Sequence, residues 1–405
     1  MLHPAKVSES PFASTLLVIN LLLIGRIRLT LPTLFNIAME VTTLEKSELM
    51  QNPVIAQMSI HNHEQILFCN DNATGLRAII AVHNTVLGPA LGGTRMWNYN
   101  NEMEALNDVM RLSRGMTYKS SVAGLNLGGG KAVIIGDARK IKSEALLRRF
   151  GKFVNSLGGK YITAEDVAMT SRDMELIHME TDYVSGLPEN MGGSGDPSPV
   201  TAYGVYVSMK ASANEVWGSD SLAGKKVLVQ GIGHVGEVLV SHLTKEGAKV
   251  YINDISEERL KAVAAQYKAE VVAADKMFDL DIDVYAPCAL GATVNDDTLA
   301  RLKCKIICGA ANNQLADEQK HGKMVGEQGI LYAPDFVVNA GGIINVYYEL
   351  EGYNRDRAMS HAEKIYGTTQ SIIRLAKAEG IATYQAANRM AEQRIEAIAR
   401  IKAIL

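Results

Sequence analysis

The sequence has few cysteines, no excess of charge of either sign and no apolar run long enough to span a membrane. Its four cysteines form no C-x-x-C pair, which favours free thiols in a reducing cytoplasm over disulfides or a metal site. The 41 basic and 44 acidic side chains give a net charge of −3, so the chain lacks the positive field that nucleic-acid binding requires. A content of 47% hydrophobic and 21% charged residues is typical of a globular protein and excludes disordered, collagen-like and multi-span membrane proteins.

The most apolar segment lies near the N-terminus. Residues 15–25 read TLLVINLLLIG, which is shorter than the stretch of about 20 residues that a membrane helix needs. The segment loosely resembles a secretory signal, but Glu9 precedes it, Arg26 follows it directly and no small-x-small cleavage site comes next. We therefore expect residues 1–38 to be a disordered or non-native extension, with the natural start at or near Met39. The remaining 367 residues (405 − 38) suit two domains at roughly 150 residues each.

Strand-like and helix-like segments alternate through the rest of the chain. This alternation, with no long stretch of strands alone, predicts an α/β fold with largely parallel sheets. A loop dense in breakers at 186–199, GLPENMGGSGDPSP, is the best candidate for a domain boundary. The predicted strands lie at 76–82, 131–137, 225–230 and 249–254, and the predicted helices lie at 102–114, 143–157, 201–216 and from about 355 onward.

A glycine fingerprint follows one of these strands. Residues 231–236 read GIGHVG, a G-x-G-x-x-G that lies between the strand KKVLVQ and an apolar helix, which is the arrangement of a dinucleotide-binding turn. The acidic residue at the end of the next strand, Asp254, should bind ribose hydroxyls and repel a 2′-phosphate, which favours NAD over NADP. The alternative is a glycine-rich turn that binds no ligand. The predicted cofactor-binding residues of this segment are Gly231, Gly233, His234, Val235, Gly236 and Asp254.

A second glycine-rich segment carries two lysines. In residues 115–137, Lys119 and Lys131 lie on either side of the triplet at 128–130. Consecutive glycines remove side chains that would block a ligand, so we expect Lys131 to start a strand at an open site. Two surface lysines flanking a loop are an equal alternative on spacing alone.

Two further short segments add candidate residues. GPALGGTRMW (88–97) contains a second glycine pair, and YITAEDVAMT (161–170) places Glu165 and Asp166 just after a strand-like start. For an isolated acidic pair, two solvated turn residues are the usual case.

Together these segments resemble the family of amino-acid dehydrogenases for leucine, valine, phenylalanine and glutamate. The resemblance runs from about 64 to 400, in order and at near-family spacing. The segments that carry it are VHNTVLGPALGGTRMW, RGMTYK, AGLNLGGGKAVIIGD, ITAED, SGDPSPVTAYGVY, GAANNQL, YAPDFVVNAGGIINV and GYNRDRAM.

The resemblance implies an N-terminal α/β substrate domain and a Rossmann-type NAD-binding domain with a cleft between them. We expect the substrate domain at 39–188, the NAD-binding domain at 189–345, and C-terminal helices at 346–405 that pack back across the cleft. The resemblance also implies a cytoplasmic homo-oligomer, commonly an octamer, that binds neither membranes nor nucleic acid and needs no metal.

The implied reaction is the reversible NAD-dependent oxidative deamination of a branched-chain L-amino acid to a 2-oxo acid and ammonia. By resemblance, Lys131 is the general acid/base and Asp166 assists proton transfer, while Lys119 holds the substrate carboxylate. Asn312 would lie near both substrate and nicotinamide, and Thr201 would hold the carboxamide. To act as a base, Lys131 would need its pKa lowered from about 10.4 to roughly 7–8.

Substrate choice is predicted from the residues around the second glycine pair. Glutamate-specific relatives carry a lysine where this chain has Leu91, and an apolar wall disfavours a second carboxylate. An aromatic amino-acid substrate and an inactive regulatory homologue are the alternatives. At 168–170 this chain has Ala-Met-Thr, where the family usually has Gly-Thr-Thr. The larger side chains of Ala168 and Met169 could narrow the cleft or alter substrate preference. The predicted substrate-binding residues are Lys119, Leu91, Gly92, Gly93, Ala164, Asn312, Ile343 and Val346.

Overall fold

The computed structural model describes residues 53–403. The predicted extension at 1–38 and the proposed start at Met39 lie outside these residues. The described part divides into helix α1 (Pro53–His61) and one compact unit that begins at Asn62. Within residues 53–403, no helix is both long enough and apolar enough to cross a bilayer.

The first sheet has five strands in the order β1-β2-β4-β3-β5. Strand β2 pairs antiparallel with both β1 and β4, whereas β3 pairs parallel with β4 and β5. Parallel pairing, as predicted, holds for β3 with β4 and with β5. The two antiparallel pairs both involve β2, which a tight turn with Gly75 at φ +74° joins directly to β1. The elements are β1 (Gln65–Asp71), β2 (Leu76–Asn84), β3 (Ala90–Trp97), α2 (Glu102–Val122), β4 (Gly128–Ile135), α3 (Ala138–Ile141), α4 (Glu144–Ser156), β5 (Tyr161–Glu165) and α5 (Ser171–His178).

The second sheet has six strands, all parallel, in the order β11-β10-β9-β6-β7-β8. Helix α6 (Ser198–Trp217) precedes it, after a 3₁₀ turn at Glu189–Met191 in the breaker-rich loop. The elements that follow are β6 (Lys226–Gln230), α7 (His234–Glu246), β7 (Lys249–Asn253), α8 (Glu257–Tyr267), β8 (Glu270–Val271), β9 (Val284–Pro287), α9 (Asp296–Leu299), β10 (Ile306–Ile307), α10 (Glu318–Glu327) and β11 (Leu331–Tyr332).

Five helices complete the chain: α11 (Asp335–Val338), α12 (Gly341–Glu349), α13 (Arg355–Glu363), α14 (Ile365–Glu379) and α15 (Thr383–Ala403). The last of them reaches back to the first half of the unit. The Ser121 hydroxyl on α2 donates to the Ala391 carbonyl at 2.8 Å, and Arg394 donates to the Leu125 carbonyl at 2.7 Å. Helices α2 and α15 are therefore joined by direct hydrogen bonds.

Helix α4 shows how local sequence defines these elements. The Ser143 hydroxyl accepts the amide hydrogen of Leu146 and caps the helix. Leu146, Leu147, Phe150 and Val154 recur at helical spacing and are all buried. The predicted helix at 143–157 therefore forms with boundaries within one residue, because capping and periodicity agree.

The glycine triplet at 128–130 has a different role from the predicted one. A Cβ on the middle glycine would lie 2.1 Å from the backbone nitrogen of Thr117, and a Cβ on the third would lie 2.6 Å from the Tyr161 ring. The triplet therefore lets helix α2 and the Tyr161 ring of β5 close against β4, rather than opening space for a ligand. Strand β4 begins at Gly128, so Lys131 is its fourth residue and not its first.

Burial and backbone conformation show what Ala168 and Met169 do at the positions where this chain differs from the usual family sequence. Met169 is 7% exposed and belongs to the same core cluster as Met174 and Leu176, so it fills the core. Ala168 is exposed and has φ +61°, a left-handed conformation that favours glycine.

We predict that Ala168→Gly stabilises the protein by about 1 kcal/mol, because it relieves the cost of a Cβ in this conformation. Urea unfolding at matched protein concentration measures the change. Ala265→Gly, at an exposed position within α8, is the matched control and should destabilise by roughly 0.5–1 kcal/mol. Equal destabilisation by both changes would show that Ala168 is not strained.

Candidate active site

An ion pair between a buried lysine and a half-buried aspartate connects β4 to the end of β5 in the first sheet. The Nζ atom of Lys131 on β4 is 2.6 Å from Oδ2 of Asp166, which follows β5. Strand β3 runs between these two strands and carries Gly92 and Gly93 at this level. A Cβ on Gly93 would lie 2.9 Å from the Cβ of Asp166, and one on Gly92 would lie 1.8 Å from the Gly130 carbonyl oxygen. The glycine pair on β3 therefore allows the lysine and the carboxylate to meet.

Arg95 is a second cation on Asp166, which the sequence analysis did not identify. Its Nε lies 3.2 Å from Oδ2 of Asp166, and its Nη1 lies 3.1 Å from Oδ2 of Asp108. Alternation along a strand could have revealed it, because Arg95 is two residues beyond Gly93 and shares its face of β3. Burial alone would raise the pKa of Asp166, but the charges of Lys131 and Arg95 outweigh it and hold that pKa below its ordinary value.

Lys119 on α2 reaches toward the second sheet. Its Nζ donates to Oδ1 of Asn312 at 3.3 Å. Burial lowers the pKa of Lys119 to about 8; the negative charge of Asp335 opposes that change and the positive charge of Lys131 adds to it. The two predicted lysines thus belong to one electrostatic cluster, and neither is a solvated surface residue.

Asn339 orients Asn312 and was also missed. Its Nδ2 donates to Oδ1 of Asn312 at 2.7 Å and to the Ala310 carbonyl at 3.0 Å. Oδ1 of Asn312 accepts from both Lys119 and Asn339, and the amide nitrogen of Asn312 donates no hydrogen bond to residues 53–403. This nitrogen is a potential donor to a ligand. The Oδ1 of Asn339 is buried and has no hydrogen-bond partner within residues 53–403. Asn339 lies in the segment YAPDFVVNAGGIINV, which supports the family resemblance. The sequence did not show that its side chain bonds to Asn312.

The residues predicted to form the pocket wall are apolar, and most of them belong to one hydrophobic cluster. Leu91 and Ile343 are buried in one hydrophobic cluster, and Val346 packs against it. Ala164 is buried too and pairs with Gly93 between β5 and β3, but it is not part of that cluster. The structure therefore brings three of the four predicted wall residues together.

The glycine fingerprint forms the turn between β6 and α7. Gly231 has φ +92°, and a Cβ on Gly236 would lie 2.0 Å from the Gly231 carbonyl oxygen. Gly233 occupies the N-cap of α7, and no atom lies nearer than 3.9 Å to a Cβ placed on it. The space in front of Gly233 and the free amide groups of the first helical turn suit a phosphate. The Asp254 carboxylate accepts the amide hydrogen of Ile232 at 2.9 Å, which ties β7 to this turn.

The other predicted cofactor residues lie around this edge. His234 is exposed and Val235 half-buried in the first turn of α7. Thr201 lies in the first turn of α6, where its hydroxyl donates to the Pro197 carbonyl at 3.0 Å and faces Gly342. The loop with Asn312 follows β10, so it shares the carboxyl edge of the parallel sheet with the fingerprint, the edge where open α/β sheets bind ligands. Within residues 53–403, no three His, Cys, Asp or Glu side chains are grouped to hold a metal ion.

A parallel sheet whose first strand runs into a G-x-G-x-x-G turn, beside a sheet with a buried lysine–carboxylate pair, is the fold of an amino-acid dehydrogenase. Comparisons with known proteins agree. The family model "Glu/Leu/Phe/Val dehydrogenase, dimerisation domain" matches residues 63–183, and "Glutamate/Leucine/Phenylalanine/Valine dehydrogenase" matches 192–255 and 251–403. The chain belongs to this family, whose members are NAD(P)-dependent dehydrogenases.

Individual relatives cover most of the chain. It is 56% identical to a leucine dehydrogenase of Thermoactinomyces intermedius over 339 residues, which is 84% of this chain and 92% of that protein. It is 50% identical to a valine dehydrogenase of Streptomyces virginiae, over 82% of this chain and 94% of that protein. The crystal structure of L-tryptophan dehydrogenase from Nostoc punctiforme is similar at 44% identity with a TM-score of 0.77, over 85% of this chain and 99% of that chain.

Two glycines of the fingerprint make a matched pair of variants. We predict that Gly233→Ala changes stability by no more than about 1 kcal/mol but weakens NADH binding at least tenfold, because its methyl group would fill the open space. Gly236→Ala should instead destabilise the fold by at least about 2 kcal/mol, because its methyl group would overlap backbone. Thermal unfolding and NADH fluorescence titration measure the two effects. Normal NADH affinity in Gly233→Ala would contradict the assignment of this turn to the dinucleotide.

Proposed function

We propose that this protein is a leucine dehydrogenase-like enzyme that catalyses the reversible NAD-dependent oxidative deamination of branched-chain L-amino acids. The products are a 2-oxo acid and ammonia. The observation that carries the proposal is the buried Lys131–Asp166 pair at 2.6 Å with Lys119 in the same electrostatic cluster. One lysine can hold a carboxylate while the other moves protons, which is the minimum that amino-acid deamination requires.

In this proposal Lys119 binds the substrate carboxylate. A carboxylate beside its Nζ would restore the charge that burial disfavours, since the pKa of the free lysine is lowered to about 8. The amide nitrogen of Asn312, which donates no hydrogen bond to residues 53–403, would donate to the same ligand. These contacts would hold the α-carbon of the amino acid in a fixed orientation.

Lys131 and Asp166 form the proton-transfer pair. When bound, NAD supplies the acceptor for the hydride that leaves the α-carbon. In its neutral form, Lys131 takes a proton from a water molecule as the water oxygen bonds to the resulting iminium carbon, which gives a carbinolamine. Lys131 returns this proton to the amine nitrogen, the carbon–nitrogen bond breaks to release ammonia, and the hydroxyl proton passes to Lys131 as the carbonyl of the 2-oxo acid forms. The Nζ–Oδ2 distance of 2.6 Å allows Asp166 to share that proton. Arg95 keeps Asp166 ionised, so the carboxylate remains an acceptor throughout.

The cofactor is proposed to be NAD and not NADP. Asp254 lies at the end of β7 and accepts an amide hydrogen from the glycine turn, so its charge is held beside the predicted ribose position. A 2′-phosphate there would meet a carboxylate at close range. The glycine turn, His234, Val235 and Thr201 complete the proposed cofactor site.

The substrate wall favours aliphatic side chains. Leu91, Ile343 and Val346 offer no partner for a second carboxylate, so glutamate would lose its hydration without compensation. One methylene changes affinity by only about 1–3 kcal/mol, so leucine, isoleucine and valine should all be accepted.

The proposal includes an organisation in two domains. The first sheet lies within residues 65–165 and the second within 226–332, which supports a substrate domain at 39–188, an NAD-binding domain at 189–345 and C-terminal helices at 346–405. We further propose a cytoplasmic homo-oligomer, commonly an octamer in this family. The edge strand β1, with Phe68 54% exposed, offers one surface for such assembly.

The proposed function is tested by NADH formation with five amino acids. We expect turnover with L-leucine, L-isoleucine and L-valine, and at least tenfold lower kcat/KM with L-glutamate. A preference for L-phenylalanine would favour the aromatic alternative. The absence of NADH formation with any of them would favour a regulatory protein that has lost activity.

Lys131→Ala should lower kcat by roughly 10²–10⁴-fold, the contribution of a positioned acid/base group, while NADH still binds. The matched control is Lys140→Ala, because the Lys140 side chain is 79% exposed on the surface. Stopped-flow absorbance at 340 nm measures turnover, and fluorescence titration measures NADH binding. Turnover near that of the unmodified enzyme would show that Lys131 is not the acid/base.

A further inference from the structure

A cavity of about 330 Å³ lies between helices α6 and α14, and none of its residues belongs to the site described above. Its volume is within the range of small-molecule sites. The side chains that define its chemistry are Tyr203, Tyr206 and Tyr366, with Lys210, Asp220 and Glu363. We call it the tyrosine pocket.

The aromatic side of the tyrosine pocket is held in place by ring contacts. The rings of Tyr203 and Tyr206 lie 6.3 Å apart between centroids. His242 stacks on Tyr206 at 5.1 Å with an interplanar angle of 19°, and it contacts Tyr203 at 5.8 Å. The Tyr206 hydroxyl donates to Glu246 at 2.6 Å. Two of the three rings are therefore positioned before any ligand arrives.

The charges around the pocket are negative on balance. Lys210 is the nearby cation, and its Nζ lies 2.8 Å from Glu246 and 3.9 Å from Asp220. Glu363 is exposed at the rim and forms no ion pair among residues 53–403. Burial raises the pKa of Tyr203, and the charge of Glu363 raises it further, so the field of this carboxylate reaches the ring.

The ammonium group of Lys210 already lies over one of these rings. The Nζ of Lys210 lies 5.7 Å from the centroid of Tyr206. Aromatic faces attract cations through their quadrupole, and acidic groups at the rim add to that attraction. An anion would meet three carboxylates against one lysine, and a neutral apolar ligand would leave Glu363 without a counter-charge.

We propose that the tyrosine pocket binds a small organic cation of the alkylammonium class. The ammonium group lies among the three tyrosine rings, and Glu363 and Asp220 balance its charge. Lys210 stays paired with Glu246 at 2.8 Å, and the ligand competes only for its longer contact with Asp220 at 3.9 Å. This site is separate from the proposed deamination chemistry and does not depend on it.

The test compares choline with 3,3-dimethylbutan-1-ol, a neutral ligand of nearly the same shape. Calorimetry and ligand-observed NMR on the full chain measure binding. We expect choline to bind with a Kd in the millimolar range and at least fivefold tighter than the neutral alcohol. Equal affinity for both ligands would show an apolar cavity only, and no saturable binding of choline would overturn the proposal.

Two variants locate the binding. Glu363→Gln, at an exposed position, removes one charge, and Tyr366→Ala removes one ring; each should weaken choline binding roughly two- to fivefold. Glu258→Gln, an exposed acid on α8, is the matched control and should leave the Kd unchanged. Circular dichroism verifies that each variant is folded. Choline binding that is unchanged in both pocket variants would place the ligand elsewhere and overturn the assignment.

Discussion

The buried contact between Lys131 and Asp166 is the constraint on which the rest of the structure depends. A charged lysine that is only 6% exposed requires a partner, because an unpaired buried ammonium is strongly disfavoured. Lys131 lies on β4 and Asp166 directly follows β5, and the two meet only because β3 carries Gly92 and Gly93 between these strands. A larger side chain at either glycine would push the strands apart and separate the pair.

From this contact, a chain of polar interactions extends in two directions. Arg95 fixes the far side of Asp166 and keeps its pKa low. On the other side, the charge of Lys131 contributes to the lowered pKa of Lys119, whose Nζ reaches Asn312 after β10. The first sheet and the carboxyl edge of the second are therefore connected by side chains that could all face one ligand. A substrate bound there would contact elements from both halves of the unit.

Much of the fold could be predicted because its local signals agree. Capping and periodicity define α4, and buried apolar runs define β6 and β7. The errors arose where a contact with a distant segment decides the outcome. The sequence of the triplet at 128–130 is compatible with either a ligand or a helix beside it. The position of Thr117 shows that helix α2 occupies this space. Strand β1 was missed for a different reason: its segment QILFCND does not alternate between apolar and polar residues, although it pairs along its whole length with β2.

The sequence by itself determined the class of fold, the G-x-G-x-x-G turn between β6 and α7 and the family, because these depend on residue types at fixed local spacing. Lys119, Lys131 and Asp166 were also identified from sequence, through the family resemblance. Only the tertiary structure decided how they act on one another, since Arg95 and Asn339 complete the network from separate strands and helices. Distances between segments far apart in the chain set those electrostatic and hydrogen-bond contacts, and local spacing carries no information about such distances.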